Sequence, residues 1–298
     1  LDAAVAPVGI AVSACFKNAD SVLLARRYWT ETETGTTGWL RKPVPLIAPA
    51  GTVYRRSDTP IKGLHMRFAH LDSSDLSDTG KRRTNNEDAV LCLPGSGVFC
   101  VADGMGGAAD GELASRAVIE AAEEAFSGRH SDGEPGFEQM KQLIREAALN
   151  ANEWIREHVE NQNRGATGMG STVVFLAFNP DTPGQGVAMH AGDSRVYRLR
   201  GDALARLTRD HSLVSEAGLD DRESLGPMFR AMVTRAVGIR AGVDLEETPV
   251  EVMENDLFLL CSDGLTTMVP DEELGRLLRD NRALATAALC RLLVDESN

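Results

Sequence analysis

Cysteine, aromatic residues and positive charge are all scarce in this 298-residue chain. The five cysteines are an odd number with no CxxC spacing, which offers neither a zinc site nor a disulfide framework. Cys92, Cys100 and Cys261 sit inside apolar runs, where a free thiol behaves as a small hydrophobe, and a reducing, cytoplasmic compartment is the expectation. Aromatic residues make up 5%, and 31 Lys and Arg stand against 44 Asp and Glu, a net charge of -13. A surface of that sign with no basic-aromatic patch excludes a nucleic acid backbone as partner and disfavours a nuclease. No apolar run approaches the roughly 18 residues that span a bilayer. What is present is ordinary for a globular domain: 43% hydrophobic and 25% charged residues.

The chain opens on Leu1 rather than Met, and Met66 stands just ahead of the first motif-rich segment. Residues 1–65 are expected to be an N-terminal extension of undisclosed role, loop or loosely attached over 17–65, where "TETETGTTG" and "RKPVPLIAP" show no periodicity. The sequence Val12-Ser13-Ala14-Cys15 resembles a lipoprotein cleavage site, but Asp2 precedes it and no basic segment does. Residues 66–298 form the expected functional domain.

Within it, "AVLCL" and "VFCVA" read as strands joined by a "PGSG" turn. Apolar residues recur with three-four spacing over Glu112–Phe126 and Phe137–Val159, predicting two antiparallel helices. "STVVFLAF", "GVAMHAGD", "SRVYRLR" and "DLFLLCSDG" read as further strands, and Pro270 introduces a helix at "DEELGRLLRD" before a last one through "ALATAALCRLLV". Strand runs interrupted by a helix pair and closed by helices indicate an α+β fold.

The chemistry lies in a repeated pattern. "FCVADG" and "FLLCSDG" each deliver an Asp followed by Gly at a strand end, Asp103 with Gly104 and Asp263 with Gly264. "VAMHAGD" delivers Asp193, and Glu87 and Asp88 precede another strand. Any one of these reads as a turn residue. Together they converge without matching lysines, and packed carboxylates repel unless a cation sits among them. Oxygen donors without His or Cys suit Mg²⁺ or Mn²⁺, and an Asp shared by two ions makes the binuclear arrangement used for displacement at phosphorus. Cys261 reads as core, and His190 and His211 as hydrogen-bonded structural histidines rather than general acids.

"DTGKRRTNNEDAV", "VADGMGG", "GMGSTVV", "HAGDSRVYRLR", "LTRDHS", "VTRAVG" and "LLCSDGLTTMV" together resemble the metal-dependent type 2C (PPM) serine/threonine protein phosphatases of bacteria, over Phe68 to Val294. The resemblance implies a four-layer sandwich of two antiparallel β-sheets flanked by antiparallel helix pairs. It also implies hydrolysis of phosphoserine and phosphothreonine by a water activated at two Mn²⁺ or Mg²⁺ ions, without a phosphoenzyme, with a third ion in bacterial members. Asp103 then matches the bridging ligand, the Gly104 carbonyl a ligand of one metal and Asp263 a ligand of the other, and Glu87 and Asp88 the pair that holds metal-bound waters. Arg83 matches the phosphate clamp and Asp193 a ligand of the third ion. Met105 stands where many eukaryotic relatives carry a histidine, which leaves the general acid unassigned. The implied partners are phosphorylated proteins that a bacterial serine/threonine kinase has modified, and the implied state is a monomer.

The pattern departs from the family at its end. "DESN" closes the chain ahead of the expected Gly-rich turn and the Asp-Asn pair whose Asp ligates one metal. A domain truncated at its C-terminus is expected, the alternative being a catalytically impaired relative that binds phosphoproteins.

Overall fold

The computed structural model describes residues 10–16, 19–27, 71–79, 85–127, 135–162, 168–216, 218 and 232–298. One sheet contains β4 (Asp88–Leu93), β5 (Val98–Met105), β6 (Gly170–Phe178), β7 (Gln185–Ala191) and β10 (Glu246–Glu251), in the order β10-β7-β6-β5-β4, all antiparallel. β6 is buried at every position and β5 over its first five. Both strands have covered faces, so neither needs the polar alternation of a half-exposed strand.

The two faces of these strands go to different cores. Cys100, Ala102, Val173 and Phe175 pack beneath α1 (Ala108–Ser127) and α2 (Phe137–Asn161). Phe99, Val101, Val174 and Leu176 alternate with them and face a second sheet, meeting its Val196, Phe258 and Leu260. Phe178 joins the two sheets, its ring edge-on to Phe99 at 5.9 Å and to Phe258 at 5.6 Å. Each such fully buried ring stabilises the sandwich by about 1.5–3 kcal/mol.

The second sheet contains β1 (Ile10–Phe16), β2 (Ala19–Arg27), β3 (Leu71–Asp78), β8 (Arg195–Arg200), β9 (Ala203–Arg206) and β11 (Leu257–Cys261), ordered β1-β2-β11-β8-β9 with β3 on β2. The outward residues Tyr197, Leu199, Leu257 and Leu259 pack against α5 (Asp271–Asp280) and α6 (Thr286–Ser297). The result is the expected order of helix, sheet, sheet, helix. No helix among the described residues is long and apolar enough to cross a membrane.

Four local expectations change. Ala19–Arg27, expected as loop, is strand β2, and its Leu23, Leu24 and Ala25 are in register with Leu260, Leu259 and Phe258 of β11. β5 continues two residues past Asp103 before Gly106 and Gly107, both at positive φ, turn the chain into α1. The Asp therefore sits inside the sheet rather than past its edge. Asp263 also leaves its expected strand end, opening a short helix, α4 (Asp263–Met268). β9, β10 and the one-turn α3 (Leu213–Glu216) carry no clear pattern in the sequence.

Candidate active site

Register brings the acidic residues together. Asp88 of β4 is directly opposite Asp103 of β5, and Asp103 is opposite Thr172 of β6. Directly opposed like charges destabilise a ladder, so this pairing needs compensation. Part of it comes from the other sheet, where the Ser262 hydroxyl donates to Asp88 Oδ2 at 2.9 Å. That bond fixes the residue before Asp263 against β4. From β6, Thr172 Oγ1 lies 2.7 Å from Ser194 Oγ, which fixes the residue after Asp193. Asp263 in turn acts on Asp193, raising its pKa. Asp103, Asp88, Asp263 and Asp193, from four separate segments, thus form a closed ring.

Gly104 completes it. Its N–H donates to the Glu87 carbonyl at 3.0 Å. A Cβ added at Gly104 would lie 1.9 Å from the Gly111 carbonyl oxygen and 2.8 Å from that of Glu87. The absence of a side chain lets the first turns of α1 close onto β5, and Gly111 in turn lies against the Glu87 carboxyl, its own added Cβ 3.1 Å from Cδ. Backbone carbonyl and carboxylate oxygens without soft donors are the set that suits a hard divalent cation. The Asp193 carboxyl is pushed up to about 7, first by burial and then by the charges of Asp263 and Asp210. A cation between these carboxylates would offset both effects. The residues present therefore fit the expected metals.

Asp103, Gly104, Asp88, Glu87, Asp263 and Asp193 are brought together, whereas Arg83 lies outside the described residues. Sequence reasoning missed Ser262, Thr172, Ser194 and Gly111. The signal for Thr172 was present, since Ser171-Thr172 is a polar pair inside an otherwise apolar run of nine buried residues.

A second cluster lies beside the ring. His190, His211 and Glu246 have ligand atoms within 4.8 Å of one another. His190 Nε2 donates to the Arg209 carbonyl at 2.8 Å. His211 Nδ1 accepts from the Gly192 N–H at 3.2 Å, so Nε2 carries the proton and donates to Glu246 at 3.0 Å. The two rings stack at 4.4 Å and 10°. Parallel rings send their in-plane lone pairs side by side, and a protonated Nε2 cannot ligate. The cluster is a hydrogen-bonded support rather than a metal site, which agrees with the structural reading of both histidines.

The family described as "Protein phosphatase 2C" matches residues 79–289. The chain is 30% identical over 225 residues to the serine/threonine phosphatase stp of Listeria innocua, covering 71% of this chain and 84% of that protein. Among solved structures, PppA of Pseudomonas aeruginosa aligns with a TM-score of 0.61 and 34% identity, over 72% of this chain and 85% of that one. The catalytic domain of the serine/threonine protein phosphatase PstP, solved with two manganese ions, aligns with a TM-score of 0.58 and 30% identity, over 73% and 87%.

Proposed function

The chain belongs to the protein phosphatase 2C family, and from that premise we propose that it hydrolyses phosphoserine and phosphothreonine in proteins directly, without a phosphoenzyme, in a metal-dependent reaction. The observation that carries this reading is the ring of Asp103, Asp88, Asp263 and Asp193 around the Gly104 turn.

Two Mn²⁺ or Mg²⁺ ions held there would supply a water acidified toward neutrality for attack on phosphorus. Asp103 is assigned as the shared ligand, with the Gly104 carbonyl and Asp263 on either side. Glu87 and Asp88 would orient metal-bound waters, Ser262 holds Asp88 in place, and Asp193 would hold a third ion. Arg83 is assigned to grip the substrate phosphate with its planar fork. Met105 has no proton to give, so that position supplies no general acid. Cys261 is buried and its thiol pushed far up by that burial, so a cysteinyl-phosphate route is closed.

The substrates are proteins that a serine/threonine kinase has phosphorylated, and the expected setting is cytoplasmic. The test is release of phosphate from a phosphothreonine peptide with added Mn²⁺. Turnover that chelation abolishes and Mn²⁺ restores is the expected result, and binding of the peptide without turnover at any metal concentration would overturn it.

A further inference from the structure

His211 grips Gly192 from two directions. Its backbone N–H donates to the Gly192 carbonyl at 2.9 Å, while its ring Nδ1 accepts the Gly192 N–H at 3.2 Å. Gly192 sits at φ +119°, and an added Cβ there would lie 2.5 Å from Thr172 Cβ. The turn that carries Asp193 is therefore an uncommon backbone shape, pressed against β6 beside the Thr172–Ser194 hydroxyl contact. Glycine adopts that φ without penalty, so the contact with β6 and the hydrogen bonds to Gly192 are what fix the turn. His211 is buried, and its ring is fixed from two further sides: Glu246 accepts from Nε2, and His190 stacks on its face. Its carbonyl also accepts from the Thr234 N–H at 2.8 Å, so one residue joins the Asp193 turn to the chain beyond α3.

We propose that His211 is a positioning residue for the third divalent cation: its neutral imidazole, held in the Nε2–H form by Glu246, fixes the Gly192 peptide and so aims the Asp193 carboxylate. This rests on the reading of Asp193 as a metal ligand. Partners one bond removed from a ligand commonly change metal affinity by about tenfold to a hundredfold. His211 acts one peptide away, through backbone rather than through the carboxylate itself.

The contact that matters is an acceptor at the Nδ1 position, which separates positioning from mere packing. Asn carries its amide oxygen near the site of Nδ1, whereas Gln carries its amide near the site of Nε2. Isothermal titration with Mn²⁺ would be run on the unaltered protein and on His211→Asn, His211→Gln, Glu246→Ala and Asp193→Asn, with thermal melts of each. Glu246 is only partly buried on edge strand β10, so Glu246→Ala tests the tautomer lock without opening the core.

Asp193→Asn removes the weakest Mn²⁺ site, and His211→Gln weakens that site by about tenfold or more. Glu246→Ala weakens it less, and His211→Asn keeps it close to its original affinity, while the tighter pair of sites is unchanged throughout. If Asp193→Asn removes the site but His211→Gln and Glu246→Ala bind as the unaltered protein does, the positioning role is overturned and the Asp193 reading stands. If His211→Asn is as weak as His211→Gln although both melt like the unaltered protein, the acceptor role is overturned. If Asp193→Asn leaves the titration unchanged, the Asp193 reading fails and the proposal falls with it.

Discussion

Ser262, immediately past β11 of one sheet, donates its hydroxyl to Asp88 Oδ2 of the other at 2.9 Å, a bond between residues 174 apart in sequence. It lies beside both Asp263 and the Asp88–Asp103 pair. Ser262 is fully buried and removal of its hydroxyl leaves a cavity of one oxygen. Ser262→Ala should therefore keep the fold, cost about 1.5–3 kcal/mol for a lost bond to a charged group, and weaken Mn²⁺ binding by about tenfold. Calorimetric metal titration beside a denaturant melt measures both. Unchanged metal affinity would make the bond purely structural.

Gly104→Ala should lose metal binding and stability together. Its Cβ would meet backbone, the Gly111 carbonyl at 1.9 Å, and backbone cannot rotate aside. Either α1 moves off β5 or the Gly104 carbonyl turns away from the ring. A melt lowered by several degrees with no Mn²⁺-dependent recovery is the expected outcome. Gly107→Ala is the comparison: nothing lies within 4 Å of its added Cβ, so any cost there comes from its φ of +100° alone.

His190 gives a pH dependence of known sign. Burial is the main cause that holds its pKa below the usual 6.5, and the neighbouring His211 adds to it. The unfolded chain therefore binds more protons than the native one just below pH 6.5, and stability falls as pH drops through that window. His190→Gln keeps an amide N–H that can donate to the Arg209 carbonyl but does not titrate. Its melting temperature should fall less than that of the unaltered protein between pH 7.5 and pH 5. Parallel curves would mean that other groups carry the acid response.

Much of this fold was legible because the central strands are dry on both faces. "STVVFLAF" and "VFCVA" read as strands for the same reason that Val174 and Phe175 point to different cores. Asp103 and Asp263 were legible because each follows an apolar run, Asp103 after Val98–Ala102 inside β5 and Asp263 after Leu257–Cys261. Their supports were not. Ser262 and Thr172 act through register between strands far apart in sequence, and Gly111 acts through a close approach of α1 that no local pattern announces. The same holds for β2, whose place beside β11 depends on a partner more than two hundred residues away.

Asp103→Asn isolates charge from shape. The amide has the size of the carboxylate and can remain opposite Asp88 and Thr172, so register and packing persist. It removes one of two like charges set directly across the β4–β5 ladder, a pairing that costs stability when no cation offsets it. The metal-free variant should therefore melt at or slightly above the metal-free parent. Added Mn²⁺ should reverse that order, because a ligand that binds only the native state stabilises it in proportion to its affinity, and the variant has lost the donor assigned to both ions. Hydrolysis of the phosphothreonine peptide should fall below detection in the same samples. An active Asp103→Asn enzyme, or one that gains as much thermal stability from Mn²⁺ as the parent, would mean that the two ions are not joined through this residue.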